Sequence, residues 1–261
     1  MMMEASRRIV RRVRYAIRIL DDFSGEEVKD GIRFSIDGQL EAPMKKPGGL
    51  HIFMERERSS GPLLIQSAHY FDAVVEPKPD DRPIDEIITV RMIPRPSYPF
   101  GDRATLLRFR VDPAPNPESP YQVHACFSDP DYYHCRLTEN LSEREVKLLP
   151  VYEPLQSGEV FFIQEEDHSE FVAVQKVLDN DLVMLCEPMH YTYQQGQKLY
   201  KSFVTRTDSD GYCVIYLSGL HRSPVQLRVT IAGDSETKEV EVSLSEGETS
   251  NIGLLKTGRR E

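Results

Sequence analysis

The chain has no tryptophan, only four cysteines, and no apolar run near the ~18 residues that a membrane-crossing helix needs. Cys126, Cys135, Cys186 and Cys213 are scattered, and no two form a CxxC pair. That excludes a disulfide framework and points to a reducing compartment. Basic residues are outnumbered by acidic ones, 32 to 42, so the formal net charge is -10 and the pI about 5.3. Such a field repels phosphate backbones, so nucleic acid is not an expected partner. The sequence lacks G-x-S-x-G, H-E-x-x-H, the P-loop and G-x-G-x-x-G, and with them the common signatures of hydrolase, metalloprotease and nucleotide chemistry.

The first twenty residues hold six arginines against one glutamate, but no unbroken apolar core and no small-residue cleavage site, so a secretory signal is not expected. An arginine-rich, acid-poor start has the character of a mitochondrial transit peptide, but its end reads directly as a strand. The expected location is the cytoplasm, or else an exported particle whose subunits carry no signal peptide.

What the chain does have is proline, turns and alternation. "RYAIRIL" places Tyr15, Ile17 and Ile19 on one side, and "GIRFSID" does the same with Ile32, Phe34 and Ile36. A period of two marks half-buried strands. Five or six short strands over 14–93 predict a β-sandwich. Seven of the eighteen prolines fall in 94–120. Proline cannot donate to a central ladder, so 94–103 reads as a stiff linker. A second module follows at 104–256. Val225, Leu227, Val229 and Ile231 share one face of a late strand, and Val240, Val242 and Leu244 share a face of the next. Earlier in this module, 129–187 carries fourteen acidic against four basic residues, a net of -10. We read 129–200 as an inserted acidic β unit, barrel-like or built of hairpins. Within it "LSEREVKLLP" is ambiguous. Ser142 and Glu145 have capping-box spacing for a short helix stopped by Pro150, although Val146 and Leu148 also alternate. A short helix is the expectation there. The fold class is all-β.

"TRTDSDGYCVIYL" raises the question of calcium. A calcium loop needs oxygen ligands at its first, third and fifth positions, glycine at the sixth and a bidentate Glu at the twelfth. Asp208 and Asp210 would take the first and third, but Tyr212, Cys213 and Gly219 occupy the others. An Asp-Gly turn feeding a strand accounts for the same residues.

The same stretch, with "VQLRVTIAG" and "KEVEVSLSEG", resembles the second half of a carboxypeptidase-regulatory-like domain, a transthyretin-like β-sandwich. Thr207, Asp208, Gly211 and Tyr212 match its Thr-Asp-x-x-Gly-Tyr/Phe stretch, and Gly233 matches a later turn. "IRILDDFSGEEVKDGIRFSIDG" resembles the family's opening through Asp21 or Asp22, Ser24, Gly25, Val28 and Gly31. The resemblance implies two transthyretin-like modules, the second interrupted by the insertion. It further implies non-catalytic accessory, scaffold or adhesion roles. The insertion resembles a small β unit of bacterial and phage-associated proteins at Glu170, Val172, Val174, Val177, Leu182, Leu185, Pro188, Tyr193 and Gly196.

Several clusters invite chemistry. His124, Cys126, His134 and Cys135 are zinc-type ligands, but chain neighbours in an extended strand point to opposite faces. We read them as ordinary strand and loop residues, and whether they ever bind metal stays open. Glu165, Glu166, Asp167 and His168 sit at an expected hairpin tip, which reads as a solvated turn rather than an acid/base cluster. The tyrosines of "DPDYYHCR" and "MHYTYQQG" (Tyr132, Tyr133, Tyr191 and Tyr193) offer rigid contact area.

The expectation is therefore a non-enzymatic structural or protein-interaction component of a larger bacterial assembly, of secretion or phage-tail type. No catalytic, cofactor or metal residue is assigned. A protein partner is expected, with neither nucleic acid nor membrane insertion, and the oligomeric state is left open. The alternative is a metal-dependent enzyme, or a surface- or carbohydrate-binding module, with its site near the insert.

Overall fold

The computed structural model describes residues 13–54, 61–76, 87–112, 114, 116, 119–140, 143–165, 167–217, 220–233 and 237–257. Most of the arginine-rich start, Ser142, Glu166 and Gly219 lie outside them. The chain divides between Pro94 and Arg95 into two compact units. Among the described residues there is no helix, and so none long and apolar enough to cross a membrane.

The first unit contains β1 (Val13–Asp21), β2 (Ile32–Ile36), β3 (Gln39–Glu41), β4 (Met44–Lys46), β5 (Leu50–Met54), β6 (Leu63–Ser67), β7 (Ala73–Val75) and β8 (Ile88–Met92). They form two four-stranded sheets, β4-β5-β1-β8 and β3-β2-β6-β7. The alternation read in β1 is the burial observed: Tyr15, Ile17 and Ile19 are each at most 1% exposed. Phe34 of one sheet meets Phe53 of the other edge-on, with ring centroids 5.1 Å apart, which brings the sheets face to face. Each large apolar side chain buried this way is worth roughly 1.5–3 kcal/mol. Asp21 organises the first turn. Its Oδ1 accepts the N–H groups of Phe23 and Ser24, and its Oδ2 accepts the Tyr70 hydroxyl at 3.0 Å.

The second unit holds β9 (Thr105–Asp112), β10 (Gln122–Phe127), β11 (Cys135–Asn140), β12 (Glu145–Pro150), β13 (Val160–Glu165) and β14 (His168–Val177). These are followed by β15 (Leu182–Leu185), β16 (Lys198–Arg206), β17 (Tyr212–Leu217), β18 (Val225–Ala232), β19 (Thr237–Leu244) and β20 (Thr249–Lys256). A three-stranded sheet, β17-β9-β20, packs its inner side chains with those of β10, β18 and β19 around one core. The larger sheet continues past β10 through β16, β13, β14, β15 and β12 to β11, and β11 pairs back with β16. That last pairing closes six strands into a barrel with its own core, which includes Phe161, Ile163, Leu185 and Leu199. Closure removes the free edges that an inserted sheet would otherwise expose.

Two expectations change at the level of local structure. Glu145–Pro150 is strand β12, not a short helix. Val146 and Leu148 both point into the barrel core, and β11 and β15 pair along its two edges. Tertiary pairing therefore overrides the capping-box spacing. The proline-rich residues after 94 do more than connect. Arg108 donates to Pro96 O at 2.9 Å and lies over the Phe100 ring, which in turn packs against Tyr216. This segment lies on the outer face of β9 and β17, and both Val214 and Tyr216 on that face are buried.

Candidate functional site

The strand β16 serves both bodies. On one edge Ser202–Arg206 pair with β10, while Lys198 and Leu199 pair with β11. On the other edge, residues 199 to 202 pair with β13. Alternate residues of a strand share a face, so Leu199, Lys201 and Phe203 point the same way. Leu199 enters the barrel core and Phe203 packs on the sandwich core. Lys201 falls between them, where the two cores part. A small cleft opens at that point, lined by Lys201 and by Phe127 of β10.

Three further segments complete it. The loop from β10 to β11 leaves the sheet at this seam and supplies Tyr132, Tyr133 and His134. The segment after β12 adds Tyr152 and Glu153, and the approach to β18 adds His221. Tyr132 packs edge-on against Phe127 at 4.5 Å, and its hydroxyl accepts the His221 backbone N–H at 2.8 Å. Tyr152 and His221 stack at 4.4 Å, with planes 22° apart, at the mouth.

One lysine faces two glutamates. Lys201 Nζ lies 3.2 Å from Glu159 Oε1 and 4.0 Å from Glu153 Oε2, and His221 Nε2 lies 3.9 Å from Glu153 Oε1. Glu159 is held in place from the other side, since its Oε2 accepts the Gln156 N–H at 2.8 Å. His134 is 7% exposed and stacks on Phe161 at 5.4 Å. Burial pushes its pKa below the ordinary histidine value, opposed by Glu159 and reinforced by Lys201. Its ring is thus neutral, and its buried Nε2 has no hydrogen-bond partner.

The four zinc-type residues are separated. His124 and Cys126 share the face of β10 opposite Val123, Ala125 and Phe127, which point into the sandwich core. The His124 ring packs on Phe171 at 4.4 Å. His134 lines the cleft, and Cys135 points into the barrel core. Among the described residues no group of three or more His, Cys, Asp or Glu is placed to hold a metal ion. Burial raises the Cys126 thiol to about 11 and lifts Cys135 and Cys213 further, so all three are protonated at neutral pH.

The Asp208 turn is equally plain. Asp208 Oδ1 accepts the N–H of Asp210 at 3.0 Å and of Tyr212 at 2.8 Å, and the chain runs directly into β17. That carboxylate is engaged by its own backbone.

The two tyrosine patches do not converge. Tyr132 and Tyr133 line the cleft, whereas Tyr191 and Tyr193 pack on His168 at 4.5 and 5.0 Å. The β13–β14 hairpin tip is therefore less open to water than its sequence suggests: the side chains of Glu165 and His168 are 23% and 25% exposed. Nearby, Glu170 accepts the N–H groups of His190 and Tyr191 and contacts the His190 ring at 3.0 Å. Burial pushes the Glu170 pKa up, but these hydrogen bonds outweigh it and hold the group below its ordinary value.

Sequence reasoning missed Lys201, Glu153, Glu159, Tyr152 and His221. One signal was present: Lys201 is a charge on the inward phase of an alternating strand, between Leu199 and Phe203. The other four come from separate segments that only the tertiary fold assembles.

The chain matches no protein-family model and no curated protein. Among solved structures it is similar to the Bacillus anthracis TIE protein, at 8% identity and a TM-score of 0.21, over 94% of this chain and 51% of that one. The chain thus spans about half the length of that protein, and a score so low carries no functional argument.

Proposed function

We propose that this chain is a non-enzymatic structural and protein-interaction component of a larger bacterial assembly, built on carboxypeptidase-regulatory-like sandwiches. The observation that carries the reading is the sharing of β16. One strand laddered into two cores makes the barrel a rigid projection of the sandwich, which suits display of a surface rather than gating of a reaction. The buried, protonated thiols favour the same reading, because none is poised as a nucleophile. The Asp21 turn with Gly25 at φ 71° supports the family resemblance in the first unit. The expected location is the cytoplasm or an exported particle.

The contact surface we assign is the apolar strip that leaves β12. Leu149 and Val151 are 54% and 44% exposed on the barrel wall. Exposed apolar side chains two apart on one wall add apolar area for a partner to bury. Size-exclusion chromatography and pull-down from native lysate test this. The wild-type chain should elute with a partner, and Leu149→Asp with Val151→Asp should release it while the fold stays intact. A strictly monomeric chain that retains nothing would overturn the proposal.

A further inference from the structure

We infer that the outer wall of the barrel receives an acidic peptide segment, with a carboxylate side chain on Arg136 and an apolar neighbour on Leu149. This rests on the contact surface proposed above and gives its occupant a chemistry. Lys198, Arg136 and Leu149 form one row across β16, β11 and β12: Arg136 pairs with Lys198 on one side and with Leu149 on the other. Residues opposite each other in a ladder share a face. Leu199, Cys135 and Leu148 fill the barrel core, so their chain neighbours in this row take the outer wall.

Two cations on the row share one ring. Tyr133 is half-buried, the Arg136 guanidinium lies 4.7 Å from its centroid, and Lys198 Nζ lies 5.0 Å from it. Arg136 also donates to the Tyr133 hydroxyl at 2.6 Å, which orients the guanidinium. Neighbouring cations are engaged elsewhere. Arg144 donates to the Leu185 and Cys186 carbonyls and to Gln175, and Lys147 lies 2.9 Å from Glu139. Lys198 donates to Pro130 O at 2.8 Å and lies 3.7 Å from Asp131. Arg136 is exposed, and among the described residues no carboxylate lies within 4.0 Å of it. Its fork carries more N–H donors than Tyr133 takes up, and that geometry grips a carboxylate with parallel hydrogen bonds.

The exposed Leu149 and Val151 stand beside this cation and supply an apolar footing. Adjacent strands lie ~5 Å apart, about the distance between residues one or two apart in an extended peptide. Asp or Glu close to Leu, Ile or Phe therefore spans the row. Anionic membranes and nucleic acids present many phosphates at once, and the net of -10 over 129–187 repels them. A single peptide carboxylate reaches Arg136 without meeting that field over a wide area.

The test pans phage-displayed random dodecapeptides on the full chain, then measures the enriched peptides by fluorescence anisotropy. Enriched sequences should carry Asp or Glu within two positions of a large apolar residue, and binding should weaken as salt rises. Arg136→Glu should weaken it at least about tenfold. Arg136→Gln guards against misfolding and should weaken it too, with thermal melts confirming the fold. A peptide with Lys in place of its acidic residue should prefer Arg136→Glu to the wild type. Enriched peptides without acids, undiminished binding in Arg136→Gln, or equal binding of phosphatidylserine vesicles would overturn the inference. The pull-down separates it from the reading beneath it. Partner capture lost with Leu149→Asp and Val151→Asp but untouched by Arg136→Glu would overturn the acidic partner and leave the contact surface standing. No capture by the wild type, with acidic peptides still bound at Arg136, would do the reverse.

Discussion

Single residues already carry testable weight. Gly211 sits at φ 83°, and a Cβ there would meet Val111 O at 2.5 Å. Gly211→Ala is therefore both strained and crowded, and should cost roughly 1–3 kcal/mol in urea unfolding. Asp208→Ala loses two backbone hydrogen bonds and should cost about 1–2 kcal/mol. A null effect in both would remove the turn from its structural role. The buried histidines set an acid limit. Burial lowers the pKa of His51, His124 and His134 from the usual 6.5. Each binds its proton at a lower pH in the folded chain than in the unfolded one, so the unfolded chain binds more protons below that value, and stability falls as pH drops through it. At the alkaline end Cys126 is raised from 9.0 to about 11, so the unfolded thiol ionises first and stability falls above 9.0. Urea midpoints across pH should thus show a plateau with two falling limbs, and His134→Phe should flatten the acid one.

At the scale of the element, β16 decides the most. Ser202 pairs with Cys126 on one side and Val160 on the other. A proline there removes a ladder donor from a central strand, a position where proline is essentially not tolerated. Ser202→Pro should expose amides of β10 and β13 to hydrogen exchange together. Loss confined to one of them would mean that the barrel and the sandwich are separable. The segment 145–150 makes the complementary point. Its local signals conflict, and its two strand neighbours resolve the conflict, because a paired strand with Val146 and Leu148 buried satisfies backbone and side chains at once.

For the whole molecule, the second unit contains two complete hydrophobic cores. Residues 95–261 expressed alone should therefore give a β-rich circular dichroism spectrum and a cooperative melt. A molten, dye-binding fragment would show that its cores depend on the first unit. Assembly belongs to the same scale, since partner capture through Leu149 and Val151 requires the barrel to be fixed on its sandwich.

The all-β class, the phase of β1, β2 and β18, and the Asp-Gly turn were legible in the sequence, because alternation and turn chemistry are local properties. Ile17 is buried and Arg18 is exposed for the same reason in either view. The barrel's closure, the packing of Phe100 on Tyr216, and the meeting of Tyr132, His134, Glu153, Lys201 and His221 were decided only by the tertiary structure. Those contacts join residues far apart in the chain, and which of them form depends on how β16 shares its two edges, a choice that no window of neighbouring residues encodes.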